Sequence, residues 1–139
     1  MRRLQTFVVA VQALFATSCS SFDEQAKASA ESAVRAQLLD PNSAMFEGEF
    51  IRFGKTLGLA GREMFTCGLV NAKNGFGGMA GRKRFVVDQS VSKIQGKMSF
   101  STGTAIIEKG EPGQIVRDED TMLFEELHWK PDCLGGAQP

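Results

Sequence analysis

The sequence predicts an α+β domain with an N-terminal helix, a small antiparallel sheet of three to four strands, and a C-terminal helix tied to the sheet by a disulfide. Three observations lead to this fold class: a capped, Ala-rich segment after residue 20, several short strand-like segments after residue 45, and a helical segment before the last cysteine, Cys133. The chain has 139 residues, 42% of them hydrophobic, which is the size of one globular domain. Its 16 basic and 16 acidic side chains cancel, which argues against a dedicated nucleic-acid-binding protein.

The first 18 residues have the profile of a secretory signal peptide. Met1, Arg2 and Arg3 form a short positive start, and the apolar stretch of residues 4–16 follows. This stretch is shorter than the roughly 20 residues that cross a bilayer, so a permanent transmembrane anchor is the weaker interpretation. We therefore expect residues 19–139 to be a single exported domain with a loose C-terminal tail. A buried N-terminal helix is the alternative.

Small residues precede Cys19 in the order Ala16, Thr17, Ser18. This segment resembles the lipobox of bacterial lipoproteins, in which the cysteine is lipidated and becomes the first residue of the mature chain, although Ala16 stands where Leu, Val or Ile is usual. The resemblance implies a lipid on Cys19. Ser20, in place of Asp, implies sorting to the outer membrane, facing the periplasm. Cleavage near Ser18 without lipidation, giving a soluble periplasmic or secreted protein, is the alternative.

The number of cysteines agrees with export. With Cys19 assigned to the lipid, Cys67 and Cys133 remain, and such a pair in an oxidising compartment predicts one disulfide. A pair of free reactive thiols is the alternative. Structural zinc would need more ligands than His128, the only histidine, can add, and the chain has no C-x-x-C motif.

An N-terminal helix is predicted from Phe22 through Leu39. Ser21 and Glu24 have the spacing of a capping box. Apolar residues then recur at steps of three and four along one face: Phe22, Ala26, Ala30, Ala33, Val34 and Leu38. Pro41 ends the helix because it biases Asp40 away from the helical conformation. We expect the apolar face to pack on the sheet, and a partner-binding face is the alternative.

Four strand-like segments follow, at residues 46–53, 63–71, 82–88 and 103–108. Residues 54–61 are interpreted as a loop, and the polar stretch 89–102 has no firm assignment. The second and third strands are predicted to form an antiparallel hairpin with a long Gly-rich tip.

A C-terminal helix is predicted from Asp118 to about residue 130, because acidic residues in its first turn suit the helix dipole and Pro131 follows it. The residues expected to face the core are Met122, Leu123, Leu127 and Trp129. A disulfide at Cys133 would clamp this helix to the strand that holds Cys67, with both helices on one face of the sheet.

The stretch from Cys67 to Gly81, CGLVNAKNGFGGMAG, is the most distinctive in the chain. Together with DPNSA at residues 40–44 and the downstream Arg84 and Phe85, it resembles a family of small bacterial envelope and prophage-associated proteins, often lipoproteins, whose function is largely unassigned. The shared motifs are D-P-x-S-A, C-G-x-V-N-A-K-N-x-x-G-G-x-x-G and a C-terminal helix leading to a second cysteine, and they cover residues 38–133. The resemblance implies an exported domain with paired cysteines and brings no activity with it.

The Gly-rich tip and the cations beside it form the best candidate site for binding an anion or a protein partner. The predicted contact residues are Lys73, Asn74, Phe76, Arg82, Lys83 and Arg84. A purely structural tip is the alternative, in which glycines adopt positive φ, Asn74-Gly75 makes the turn and the cations are solvated. The G-x-G-x-x-A spacing from Gly75 to Ala80 does not indicate a nucleotide site, because a strand and not a helix is predicted to follow it.

Side chains suited to catalysis are few. His128 stands alone, and no serine or cysteine has a recognisable nucleophile setting. The helix dipole accounts for a group of acidic residues that lacks calcium-loop spacing: Asp118, Glu119, Asp120, Glu125 and Glu126.

We therefore expect a non-enzymatic binding or accessory protein of the bacterial envelope, with no cofactor, no metal and no nucleic-acid partner. Its predicted partners are an envelope protein, such as an effector or an assembly component, and the membrane through a lipid anchor. An envelope hydrolase that uses His128 or the acidic residues is one alternative. A purely structural envelope lipoprotein is the other.

Overall fold

The computed structural model describes residues 21–109 and 119–135; the predicted signal peptide, Cys19 and residues 136–139 lie outside them. The elements in chain order are α1 (Phe22–Arg35), a 3-10 turn (Pro41–Ser43), β1 (Met45–Leu57), β2 (Gly61–Asn71), β3 (Lys83–Ile94), β4 (Lys97–Ile107), α2 (Glu119–Phe124) and a π-helical segment (Glu125–Leu134). The last two are continuous and are called the C-terminal helix below. The α+β class is confirmed.

Helix α1 begins at the predicted capping box. The backbone N–H of Ser21 donates to Glu24 Oε2 at 2.8 Å, and the backbone N–H of Glu24 donates to Ser21 Oγ at 3.3 Å. The face that packs on the sheet consists of small residues, with Ala26, Ala30 and Val34 fully buried. The helix ends four residues before the predicted Leu39, because the following backbone N–H groups bond to carbonyls three residues back and tighten the chain into turns.

The four strands form an antiparallel sheet in the order β1-β2-β3-β4. The predicted loop at residues 54–61 is wrong for its first half, since β1 continues to Leu57 and only residues 58–60 turn. The unassigned stretch 89–102 is also ordered strand. It contains the end of β3, a two-residue turn at Gln95 and Gly96, where φ is 51° and 80°, and the start of β4.

The two helices lie on opposite faces of the sheet, so the prediction of one shared face is wrong. Successive residues of a strand point to opposite faces. Phe85 and Val87 therefore pack under α1 with Val70 and Ala105, whereas Val86 packs under the C-terminal helix. A strand buried on both faces requires cover on both sides, and this is the physical reason for the three-layer arrangement.

The predicted disulfide is confirmed: Cys67 of β2 is joined to Cys133, with the two Cα atoms 5.9 Å apart. The pair lies in a small second core with Val86 and Phe124. It holds the C-terminal helix against the face of the sheet that α1 does not cover.

The C-terminal helix does not end at Pro131, which lies inside the π-helical segment. In a regular α-helix the proline ring clashes with the carbonyl four residues earlier, and a widened turn relieves that clash. The widened turn also changes the buried face, so the prediction of core-facing residues is wrong for three of the four and correct for Trp129. Met122, Leu123 and Leu127 are exposed. Trp129 packs on the second core and stacks on Phe124, five positions earlier, with ring centroids 6.3 Å apart.

Candidate functional site

The Gly-rich tip, residues 72–82, is a narrow extension of the β2–β3 hairpin beyond the sheet. Lys73 pairs with Met79 in an isolated antiparallel bridge. The backbone N–H of Ala80 donates to the carbonyl of Ala72 at 2.9 Å, and that of Asn74 donates to the carbonyl of Gly78 at 2.8 Å. These bonds give the tip a defined backbone shape.

Asn74 organises the end of the tip from inside. Its Oδ1 accepts from the backbone N–H of Phe76 at 3.0 Å and from that of Gly78 at 3.1 Å. The backbone N–H of Gly77 donates to the carbonyl of Asn74, and Gly77 adopts a φ of 81° that favours glycine. The turn therefore spans Asn74 to Gly77, so it includes the predicted Asn74-Gly75 pair and extends two residues beyond it. The amide oxygen of Asn74, predicted as a contact, serves the tip itself.

The DPNSA turn supports the base of the tip. Ser43 Oγ donates to the carbonyl of Asp40 at 2.8 Å and accepts from the backbone N–H of Lys73 at 2.9 Å. One hydroxyl thus joins the D-P-x-S-A segment to the Gly-rich segment, 30 positions apart in the chain. This contact fixes the direction in which the tip leaves the sheet.

Phe76 is fully exposed at the apex of the tip, at 100% of its free accessibility. Met79, three positions further along the tip, is partly exposed, and Leu39, after the end of α1, is 83% exposed. Leu39 also lies against the tip, since its Cδ1 is 3.8 Å from the position that a Cβ on Gly75 would occupy. Large apolar side chains gathered on one exposed surface are typical of an interaction site.

Two of the predicted cations lie together beside Leu39. Lys73 and Lys83 line an open cleft of about 430 Å³ between the end of α1 and the base of the tip. Its apolar lining comes from Leu38, Leu39, Val70, Ala72 and Ile107. Within residues 21–109 and 119–135, neither lysine forms an ion pair. We call Leu39, Lys73, Phe76, Met79 and Lys83 the tip face.

Arg82 is committed to a surface ion pair. Its Nε lies 3.1 Å from Glu47 Oε2 on β1, and both side chains are largely exposed. Such a pair contributes little stability, and the guanidinium remains accessible to a partner. Arg82 therefore flanks the tip face and is not part of it.

Arg84 is not at the tip, so the expectation that it shares a site with the other three cations is wrong. It lies on β3, one position beyond Lys83, and therefore points to the opposite face of the sheet. Its Nη2 lies 2.7 Å from Glu108 Oε1, and its Nη1 contacts Glu125. The guanidinium also lies over the rings of Phe124 and Trp129.

The titration behaviour of this cluster agrees with a structural role. Hydrogen bonds to Glu108 raise the pKa of Arg84, and those to Glu125 add to the effect. Burial alone would raise the pKa of Glu108, but hydrogen bonds from the side chain and backbone of Arg84 lower it below its usual range. Arg84 and Glu108 therefore both stay charged at neutral pH.

The residues of the hydrolase alternative are not brought together in the described part of the chain. Glu125 pairs with Arg84, and Glu126 pairs with Lys130. His128 Nδ1 is 3.9 Å from Asp132 Oδ2, and burial raises the pKa of that aspartate. Among residues 21–109 and 119–135, no three His, Cys, Asp or Glu side chains are grouped so that they could hold a metal ion. Asp118 lies outside these residues.

Sequence reasoning missed Leu39 and Met79 as members of the site. The helical spacing predicts Leu39 in the last turn of α1, but the helix ends at Arg35 and the side chain of Leu39 is exposed. The available signal was Asp40-Pro41, which restricts the backbone just after Leu39. Met79 carried no signal beyond its place in the Gly-rich segment.

No family model, curated protein or solved structure matches this chain. The described ranges also contain no helix whose length and apolar character would let it cross a membrane.

Proposed function

We propose that this chain is an exported, lipid-anchored accessory protein of the bacterial envelope that binds a protein partner through the tip face and catalyses no reaction. The signal-peptide profile of residues 1–18 and the lipobox-like segment before Cys19 support export and anchoring. The resemblance of residues 38–133 to small envelope proteins supports the same location. The observation that carries the binding role is the fully exposed Phe76, held on a hydrogen-bonded tip beside a lysine-lined apolar cleft.

The position of the tip suits this role. Helix α1 starts beside β4, where the rings of Phe22 and Phe100 are 6.1 Å apart, close to the β3–β4 turn. The tip leaves the opposite end of the sheet, because it joins the end of β2 to the start of β3. A 12-residue strand such as β3 is about 40 Å long. An anchor at Cys19 would therefore leave the tip face pointing away from the membrane.

The chemistry of the tip face defines the kind of partner it fits. Phe76, Met79 and Leu39 offer apolar contact area, and Lys73 and Lys83 offer positive charge at the edge of the cleft. Apolar anchors with charged residues around them are the usual anatomy of a protein–protein interface. The matching partner surface presents a large apolar side chain next to a carboxylate.

Site-specific photo-crosslinking in intact cells tests the proposal. A benzophenone amino acid replaces Phe76, and in a control variant it replaces Leu127, an exposed apolar residue on the C-terminal helix. We expect one discrete protein adduct from position 76, lost when Lys73 and Lys83 are both changed to Glu, and no such adduct from position 127. The absence of an adduct at position 76, or the same adducts from both positions, would contradict the proposal.

A purely structural role is the second candidate. The ion-pair cluster of Arg84 and the disulfide favour it, because both stabilise the fold and neither needs a partner. This candidate predicts that cells tolerate changes at Phe76 and require Cys67 and Cys133.

A further inference from the structure

The end of the sheet opposite the tip also exposes large apolar side chains. Leu57 and Leu59 flank the β1–β2 turn, and Ile94 and Met98 flank the β3–β4 turn. Leu59 is exposed at 109% of its free accessibility and Ile94 at 62%. We call these four residues the turn patch.

The two turns lie side by side. Gly61 at the start of β2 pairs with Ser92 near the end of β3, and the backbone N–H of Lys93 donates to the carbonyl of Ala60 at 3.0 Å. The patch therefore lies at one end of the sheet, where Ile94 and Met98 extend from its two opposite faces.

The chain enters α1 at this same end. Phe22 packs on Phe100, which pairs with Val91, and Val91 pairs with Arg62. That row of residues is about three strand positions, or roughly 10 Å, from the two turns. Cys19 precedes Phe22 by three residues, which span at most about 11 Å. The backbone is therefore long enough for Cys19 to reach the level of the turn patch.

Basic side chains surround the turn patch. Lys55 and Arg62 flank the β1–β2 turn, and Lys93 and Lys97 flank the β3–β4 turn. The acidic groups at this end are Asp23, Glu24 and Glu63, and Asp132 lines a cleft together with Lys55 and Glu63. Glu24 caps α1, and Glu63 accepts from the backbone N–H of Lys55 at 3.1 Å. Apolar side chains ringed by cations are complementary to the headgroup region of a bilayer that contains anionic lipid.

We propose that the turn patch docks on the surface of an anionic lipid bilayer, with Leu59 and Ile94 inserted at the headgroup level. This inference rests on the proposed lipid anchor, which would bring the patch to the membrane. Docking at the turn patch makes the strands stand on the membrane with the β1–β2 and β3–β4 turns against the lipid. The tip face, at the other end of the sheet, then points away from the membrane.

Quenching by lipids with brominated acyl chains tests the docking. The full chain is purified from the envelope as the wild type, as Leu59→Trp and as Phe76→Trp, and is reconstituted with vesicles of phosphatidylethanolamine and phosphatidylglycerol. Leu59 and Phe76 are both fully exposed, so neither change removes a buried contact. We expect bromination to lower the added fluorescence of Leu59→Trp by about half, because only a residue at the acyl boundary meets the quencher. Phe76→Trp and the wild type, whose only tryptophan is Trp129, should be unaffected.

An intact mass spectrum of the same sample separates this inference from the proposed function. An acylated chain with an unquenched Leu59→Trp overturns docking and leaves the anchor standing. An unacylated chain with a quenched Leu59→Trp supports docking and contradicts the anchor, and an unacylated, unquenched chain overturns both. Emission from Leu59→Trp that is already blue-shifted without vesicles, together with a dimer in light scattering, would assign the patch to a second copy and overturn docking.

Discussion

Arg84 of β3 and Glu125 of the C-terminal helix form an ion pair across the face of the sheet opposite α1. Glu108, the residue that follows β4, accepts two side-chain hydrogen bonds from the same guanidinium. One arginine therefore connects two strands and a helix on a surface that has only a small apolar core. The ion pairs of Arg84 and the Cys67–Cys133 disulfide together connect the C-terminal helix to the sheet.

Arg84→Ala should lower the free energy of unfolding by about 3 kcal/mol, because it leaves two partly buried carboxylates without their cation. Urea titration followed by far-UV circular dichroism measures the change. Arg82→Ala is the matched control, since Arg82 also pairs with a glutamate but is exposed, and it should cost less than about 1 kcal/mol. Equal losses in the two variants would contradict the structural role of Arg84.

Replacing both Cys67 and Cys133 with Ser should lower the free energy of unfolding by about 4 kcal/mol, the chain-entropy value for a bridge over 66 positions. The C-terminal helix should loosen first, because it joins the sheet through a small core. Trp129, stacked on Phe124, reports this as a red shift of its emission in the absence of urea. An unchanged unfolding midpoint would show that the bridge adds no stability.

The sequence predicted the elements better than their packing. The sequence predicted the capping box and the two central strands because each depends on a local pattern of residues. It predicted the disulfide because two cysteines remain once Cys19 is assigned to the lipid. The opposite placement of the helices was not predicted, although the uninterrupted run Phe85-Val86-Val87 already indicates a strand buried on both faces. The β3–β4 turn was missed because its left-handed pair is Gln95-Gly96, where the usual signal is Asn-Gly or Asp-Gly.

Asn74→Ala should release the tip without unfolding the domain. It removes the acceptor of two backbone N–H groups, yet both bonds are exposed, so the free energy of unfolding should fall by no more than about 1.5 kcal/mol. Hydrogen exchange at the amides of Phe76 and Gly78 should accelerate, and the adduct from position 76 should weaken. Asn74→Asp keeps the acceptor and should preserve slow exchange. Equally slow exchange in Asn74→Ala would show that the side chain does not organise the tip.

Glu49 should make the fold less stable as the pH rises. Burial raises its pKa from 4.5 to about 7, and Glu31 on α1 adds to this effect while Lys27 opposes it. The folded chain therefore holds a proton that the unfolded chain releases, so stability falls between about pH 4.5 and pH 7.

Glu49→Gln should flatten this part of the pH profile and raise stability at pH 8 by about 1 kcal/mol, less than the full pKa change because the side chain still meets solvent. Urea midpoints at pH 5, 6, 7 and 8 for the wild type and the variant measure the difference. Parallel profiles would contradict the assignment to Glu49.

The candidate site was predicted in part. Lys73, Phe76 and Lys83 follow from the Gly-rich motif, and the structure places the two lysines in one cleft and Phe76 exposed on the same tip. Residue type alone does not show that Lys83 belongs to the site and Arg84 does not. The two are adjacent cations on one strand, and they differ in the face of the sheet to which they point. Leu39 joins the site through tertiary contact with the tip, which no local pattern carries.

Intact mass spectrometry of the protein from a bacterial membrane fraction, before and after reduction and alkylation, tests the envelope assignment most directly. The account predicts a chain that begins at Cys19 with a diacyl or triacyl mass, and two alkylatable thiols that appear only after reduction. An unlipidated chain with thiols free before reduction would contradict both the anchor and the exported location.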